Sequence, residues 1–141
     1  MKKAIAVFSA LFLIGNCCVF AADHTEYQNT EERIYIQSRN IAITDMESSL
    51  SITSSVSAQC IGKTTVSNGY KAKVKVELQR KDGSWSTIKT WTTTGDSLAR
   101  VSKSYSVSSG YQYRVKATHY ALTSSGSIVE SYVSYSSTAT Y

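Results

Sequence analysis

The sequence predicts an all-β protein, a single antiparallel β-sandwich of about seven strands. Three observations predict it. Apolar residues recur at every second position through most of the chain beyond residue 33. Turn-forming residues interrupt that alternation roughly every 8–12 residues. No window carries a convincing apolar stripe at helical spacing. A chain of 141 residues, 42% hydrophobic and 18% charged, suffices for one core and is too short for two comfortable ones. No internal repeat, glycine-rich linker or second domain is legible.

The first element is not part of the fold. Residues 1–22 have a basic start at Lys2 and Lys3, an apolar run from Ala4 to Ile14 and a small-residue exit, the pattern of a secretory signal peptide with cleavage expected after Ala21 or Ala22. Lipidation at Cys17 or Cys18 is disfavoured because Asn16, not a small residue, precedes Cys17. Gly15 and Asn16 interrupt the apolar run, so no stable transmembrane anchor is expected after cleavage. Sortase anchoring is not expected either, because its signal needs a proline and an apolar tail and the chain has no proline. Loss of the leader leaves Cys60 as the only thiol, so the exported domain is held by its core without an intrachain disulfide. It also removes Lys2 and Lys3, leaving 13 basic against 10 acidic residues and lowering the net charge from +5 to +3.

Residues 23–33 follow as a flexible acidic arm, DHTEYQNTEER, without apolar periodicity. The sandwich is expected over 34–141. RIYIQSRNIAIT (33–44) and SLSITSSVSAQC (49–60) read as its first two strands, the second placing Leu50, Ile52, Val56, Ala58 and Cys60 on one core face. From Lys71 the alternation sharpens, with Ala72, Val74, Val76 and Leu78 on one side and Lys73, Lys75, Glu77 and Gln79 on the other. The Asp82-Gly83 pair signals a hairpin, with SWSTIKTW (84–91) returning and TTTGDS (92–97) as the next connection. Residues 99–107, 111–122 and 127–135 are the last strands, separated by two SSG turns.

VELQRKDGSWSTIKTW, together with YSVSSGYQYRVKATHYALTSSGSIVESYVSY, resembles the second half of a fibronectin type III domain, an immunoglobulin-like sandwich. Val107-Ser-Ser-Gly110-Tyr-Gln-Tyr113 carries the likeness: Val107 stands where that family has leucine, Ser109 where it has proline, and Gly110 and Tyr113 match. The resemblance implies that the Tyr113 hydroxyl bonds back to nearby backbone and fixes a corner. The absence of proline and of the family's tryptophan in the second strand are departures. The whole mature chain also resembles a family of small secreted proteins of Gram-positive bacteria classed as a domain of unknown function. The pieces LQRKDGSWSTIKTW, SKSYSVSSGYQYRVKA and ESYVSYSS carry that likeness. It implies a secreted β-sandwich and no catalytic residue or cofactor.

Chemistry-bearing residues are few. A Cys60–His119 dyad would be the nucleophile of a small hydrolase, but both residues fall on inward-facing positions, and free cysteine usually packs as a small hydrophobe. His24 and His119 do not form a ligand spacing, so no metal is expected, and no phosphate loop or other cofactor motif is present. The stronger candidate is a basic patch. Strands 71–79 and 111–122 are neighbours in this architecture, which would place Lys73 and Lys75 beside Arg114 and Lys116, a surface for anionic wall polymers, acidic glycans or lipid head groups. Trp85 and Trp91 share one parity and form a candidate aromatic surface for sugar rings. Tyr113, Gly110 and Cys60 are assigned structural roles. The expectation is a secreted or cell-wall-associated, non-enzymatic module that binds an anionic polymer or an extracellular protein. Nucleic acid is not expected as a partner, given the small net charge. The rival is a secreted effector, an enzyme inhibitor or bacteriocin-like toxin, acting through the loops TTTGDS and LTSSGS.

Overall fold

The computed structural model describes residues 32–34, 42–53 and 56–141. The leader and the arm up to residue 31 lie outside the described residues. Among the described residues there are nine strands: β1 Glu32–Ile34, β2 Ile43–Thr53, β3 Ser57–Val66, β4 Lys71–Asp82, β5 Ser84–Gly95, β6 Leu98–Ser106, β7 Gln112–Leu122, β8 Ile128–Tyr135 and β9 Ala139–Thr140. They form two open antiparallel sheets, one ordered β1-β2-β3-β6 and the other β5-β4-β7-β8, with β9 pairing the start of β7. The all-β expectation holds, and the arrangement is consistent with a sandwich.

The core follows from the alternation. Ala72, Val74, Val76 and Leu78 of β4 and Tyr113, Val115, Ala117 and Ala121 of β7 are buried from one sheet. Ile43, Met46, Ala58, Cys60, Val66, Ala99 and Val101 meet them from the other. Gly62 on β3 marks the closest approach. A Cβ there would lie 2.3 Å from Val76 Cγ2, so only a hydrogen leaves room for the valine between the sheets.

The N-terminal strands differ from expectation. The segment 33–44 is not one strand: β1 ends at Ile34 and β2 begins at Ile43, and Glu32 and Arg33 of the supposed arm pair with Ser48 and Glu47. The segment 49–60 is likewise a hairpin rather than a strand. Leu50 pairs with Cys60 and Ile52 with Ala58, so both arms place these residues on one face, and simple alternation imitates a continuous strand. Val56 is the exception. It sits in the turn with φ of 64° and is exposed, a conformation in which a β-branched side chain is strained. Further along, β5 continues to Gly95, so most of TTTGDS is strand and the crossing to β6 is made by Asp96 and Ser97.

Candidate functional site

The outer face of the β4–β7 sheet is built by register. Lys73 lies opposite Tyr120, Lys75 opposite Thr118, Glu77 opposite Lys116, Gln79 opposite Arg114 and Lys81 opposite Gln112. The four expected cations therefore share the face but do not cluster. Each two-residue level carries one cation, first from β4 (Lys71 opposite Leu122, then Lys73 and Lys75), then from β7 (Lys116, Arg114), then Lys81. Levels are spaced about 7 Å apart, and the row spans about 34 Å along the strands. Glu77 is the one carboxylate facing out from these two strands. Its Oε2 lies 3.3 Å from Lys75 Nζ and 4.0 Å from Lys116 Nζ, and it sits lower than the lysines, with its side chain 13% exposed against 38% and 31%.

Arg114 is the most constrained member of the row. Its guanidinium carbon lies 4.2 Å from the Trp85 ring centre and 4.4 Å from that of Tyr135, and its Nε donates to Gln79 Oε1 at 2.8 Å. An arginine stacked between two rings keeps its charge while its orientation is fixed. Lys73 lies over Tyr120 at 5.3 Å and Lys81 over Trp85 at 6.0 Å, so rings stand beside three of the cations, while Lys75 and Lys116 meet Glu77. Tyr120, Tyr135, Lys81 and Gln79 were not singled out from sequence. Parity alone places Lys81 with Lys73 and Lys75, and that signal was available.

The shared aromatic surface of Trp85 and Trp91 is not formed. The pairing of β4 with β5 shifts between Leu78 and Gln79, which lie opposite Lys89 and Thr87, and the extra residue Ile88 inverts the parity of β5. Trp85 consequently faces outward onto Arg114. Trp91, opposite buried Val76, faces inward, packs against the core and meets Tyr105 edge to face at 6.4 Å.

The remaining residues are interior. Tyr113 is buried; its hydroxyl donates to the Ser108 carbonyl at 2.7 Å and accepts from the Ser108 amide at 3.1 Å, tying β7 to the loop before it. Gly110 holds the positive φ, 88°, that this loop requires. Cys60 is buried, its thiol directed at the Ala58 carbonyl, and burial pushes its pKa up to about 12. His119 is fully buried with both ring nitrogens engaged, Nδ1 by Thr64 Oγ1 and Nε2 by Ser134 Oγ, each at 2.8 Å. Burial lowers its pKa to about 4, partly offset by the Lys63 backbone and the charge of Asp45, so the imidazole is neutral. The Cys60–His119 dyad is not assembled. Among the described residues, no group of three or more His, Cys, Asp or Glu side chains is placed to hold a metal.

A cationic, aromatic-flanked face on an all-β domain is the setting for the comparison with known families. Residues 12–139 match the model of a family of unknown function, DUF6147. The chain belongs to that family. The match covers β1 to β8 and the first residue of β9, so among the described residues the matched region is a β-sheet domain. No curated protein and no solved structure matches the chain. DUF6147 membership supplies no reaction, so the functional reading rests on the site.

Proposed function

We propose that this DUF6147 protein is a secreted, envelope-associated, non-enzymatic interaction module of fibronectin type III-like topology. It binds a linear anionic polymer of the Gram-positive cell wall along the outer face of β4 and β7. The row Lys71–Lys73–Lys75–Lys116–Arg114–Lys81, with Glu77 as the one opposing carboxylate on it among the described residues, carries this reading. A charge every 7 Å or so suits a polyanion lying along the strands, where many weak contacts add together. The fibronectin type III-like reading is supported by the strand order β2-β3-β6 facing β5-β4-β7-β8 and by the tyrosine that bonds back to its own loop. Secretion is supported by the leader pattern of residues 1–22. A non-enzymatic role is supported by a thiol held protonated and an imidazole occupied on both sides.

The test is co-sedimentation of the protein with purified Gram-positive walls at low salt and at about 1 M salt, where screening acts within about 3 Å. A variant carrying Lys73, Lys75, Arg114 and Lys116→Ala is measured beside it. Binding that is lost in salt, in the variant, and on walls extracted of their anionic polymers is the expected result. Equal binding to extracted walls, or to anionic lipid vesicles in preference to walls, would sink the proposal.

A further inference from the structure

We infer that the cleft between edge strands β5 and β6 is a second binding site, separate from the cation row, and that it takes a carboxylated sugar unit. The two sheets end on this side in strands that are not paired to each other, β5 closing one sheet and β6 the other. Residues of these strands beyond the closed core leave a cleft of about 480 Å³, with Trp91, Thr93 and Lys103 on the inward parity and Arg100 and Ser102 at its outer rim. That volume falls in the range of small-ligand sites, roughly 300–1,000 Å³.

The lining points to the ligand. Trp91 is only half-buried, and its edge-to-face contact with Tyr105 fixes the indole while it forms one wall of the cleft. An oriented indole bordered by hydroxyl groups suits the apolar face and the hydroxyl rim of a pyranose ring. The opposite wall is cationic. Lys103 lies opposite Cys60 of β3, on the parity that Trp91 shares, and Lys89, opposite buried Leu78, lies over Tyr105 at 5.9 Å; Arg100 lies on the outer parity and reaches towards Glu47 instead. Among the described residues, no carboxylate lines the cleft. Two ammonium groups on the parity of the indole are a receptor for a carboxylate carried on the ring that stacks on Trp91.

The bulge at Ile88 makes the test clean, because the chain has two tryptophans and they lie on opposite faces of β5. In a Trp85→Phe variant, Trp91 is the sole indole reporter. Titration with a glucuronic acid–N-acetylglucosamine disaccharide should change its emission saturably, at concentrations up to about 1 mM. Neutral diacetylchitobiose should bind about tenfold more weakly, the loss expected for one charge-assisted contact. Lys89→Gln and Lys103→Gln in the same background should each weaken the acidic sugar by a similar factor, and Arg100→Gln, on the outer parity, should not. Lys103 makes no ion pair with Glu47, so its variant tests the carboxylate contact without disturbing the acidic neighbour. The cation-row variant should retain the response, which separates this site from the one proposed above. An unchanged Trp91 emission, equal affinity for the neutral disaccharide, or loss of the response in the cation-row variant overturns the inference.

Discussion

The outer faces of the two sheets handle charge in opposite ways. On the β2–β3–β6 face, Lys63 Nζ lies 2.7 Å from Asp45 and 3.6 Å from Glu47, and Arg100 reaches the same Glu47. Two cations meet two carboxylates, and the hydrogen bond to Asp45 is the main cause that raises the Lys63 pKa. On the β4–β7 face, six cations stand against Glu77 alone among the described residues, held apart by register, with rings beside Lys73, Arg114 and Lys81. The first arrangement satisfies half-buried carboxylates and stabilises the fold. The second leaves a net field that the fold does not require, and such a surplus suggests a ligand.

The comparison can be broken or sharpened by mutation, beginning with the interior that separates the faces. His119 has a folded pKa near 4 against about 6.5 when unfolded. The unfolded chain therefore takes up a proton between those values that the native protein refuses. Stability is full above about pH 6.5 and falls as the pH drops towards 4, by about 3 kcal/mol in all. Denaturant melts across that window should show this slope in the native sequence and not in His119→Gln; parallel curves would mean that the imidazole is not held neutral.

Next in size is Lys63→Met, which should cost about 2 kcal/mol by leaving buried Glu47 and half-buried Asp45 poorly compensated, with polymer binding unchanged. Loss of binding there would erase the distinction between the faces. The four-alanine variant of the cation row should do the reverse, weakening wall binding at least tenfold, about 1.4 kcal/mol, while leaving the interior unaltered by near-ultraviolet circular dichroism. Val56→Gly, which relieves the strained turn joining β2 to β3, should raise stability by about 1 kcal/mol in the same melts without touching either face's charge. The smallest effect is expected for Glu77→Gln. Removing the single opposing carboxylate should strengthen polyanion binding about threefold and steepen its salt dependence, read in the same sedimentation assay.

How much of this the sequence discloses depends on whether a feature is local. The faces of β4 and β7 were legible because each strand alternates without interruption, so Lys73, Lys75, Arg114 and Lys116 could be assigned to one surface before any register was known. Their spacing was not legible, because it depends on which level of β4 meets which level of β7. The β2–β3 turn was hidden for a related reason. A hairpin whose arms pair Leu50 with Cys60 keeps the same parity on both sides, and only the polar run Thr53-Ser-Ser hints at the break. Trp85 and Trp91 were placed together because period two holds only while strands stay in step, and the extra residue opposite Leu78 and Gln79 has no glycine or proline to announce it. The Thr64–His119–Ser134 contacts join β3, β7 and β8, three positions far apart in the chain, and no pattern within one segment could reveal them.

The bulge in β5 also bears on how this protein could vary by insertion and deletion. Removing one codon, that of Ile88, would restore the plain alternation of β5 and turn the hairpin end of the strand over relative to Trp91. Trp85 would leave the guanidinium of Arg114, and the row would lose the ring that fixes its most constrained cation. A single-residue change in length, without any change of charge, would therefore be enough to separate variants of this chain that carry the stacked arginine from variants that carry only loose lysines.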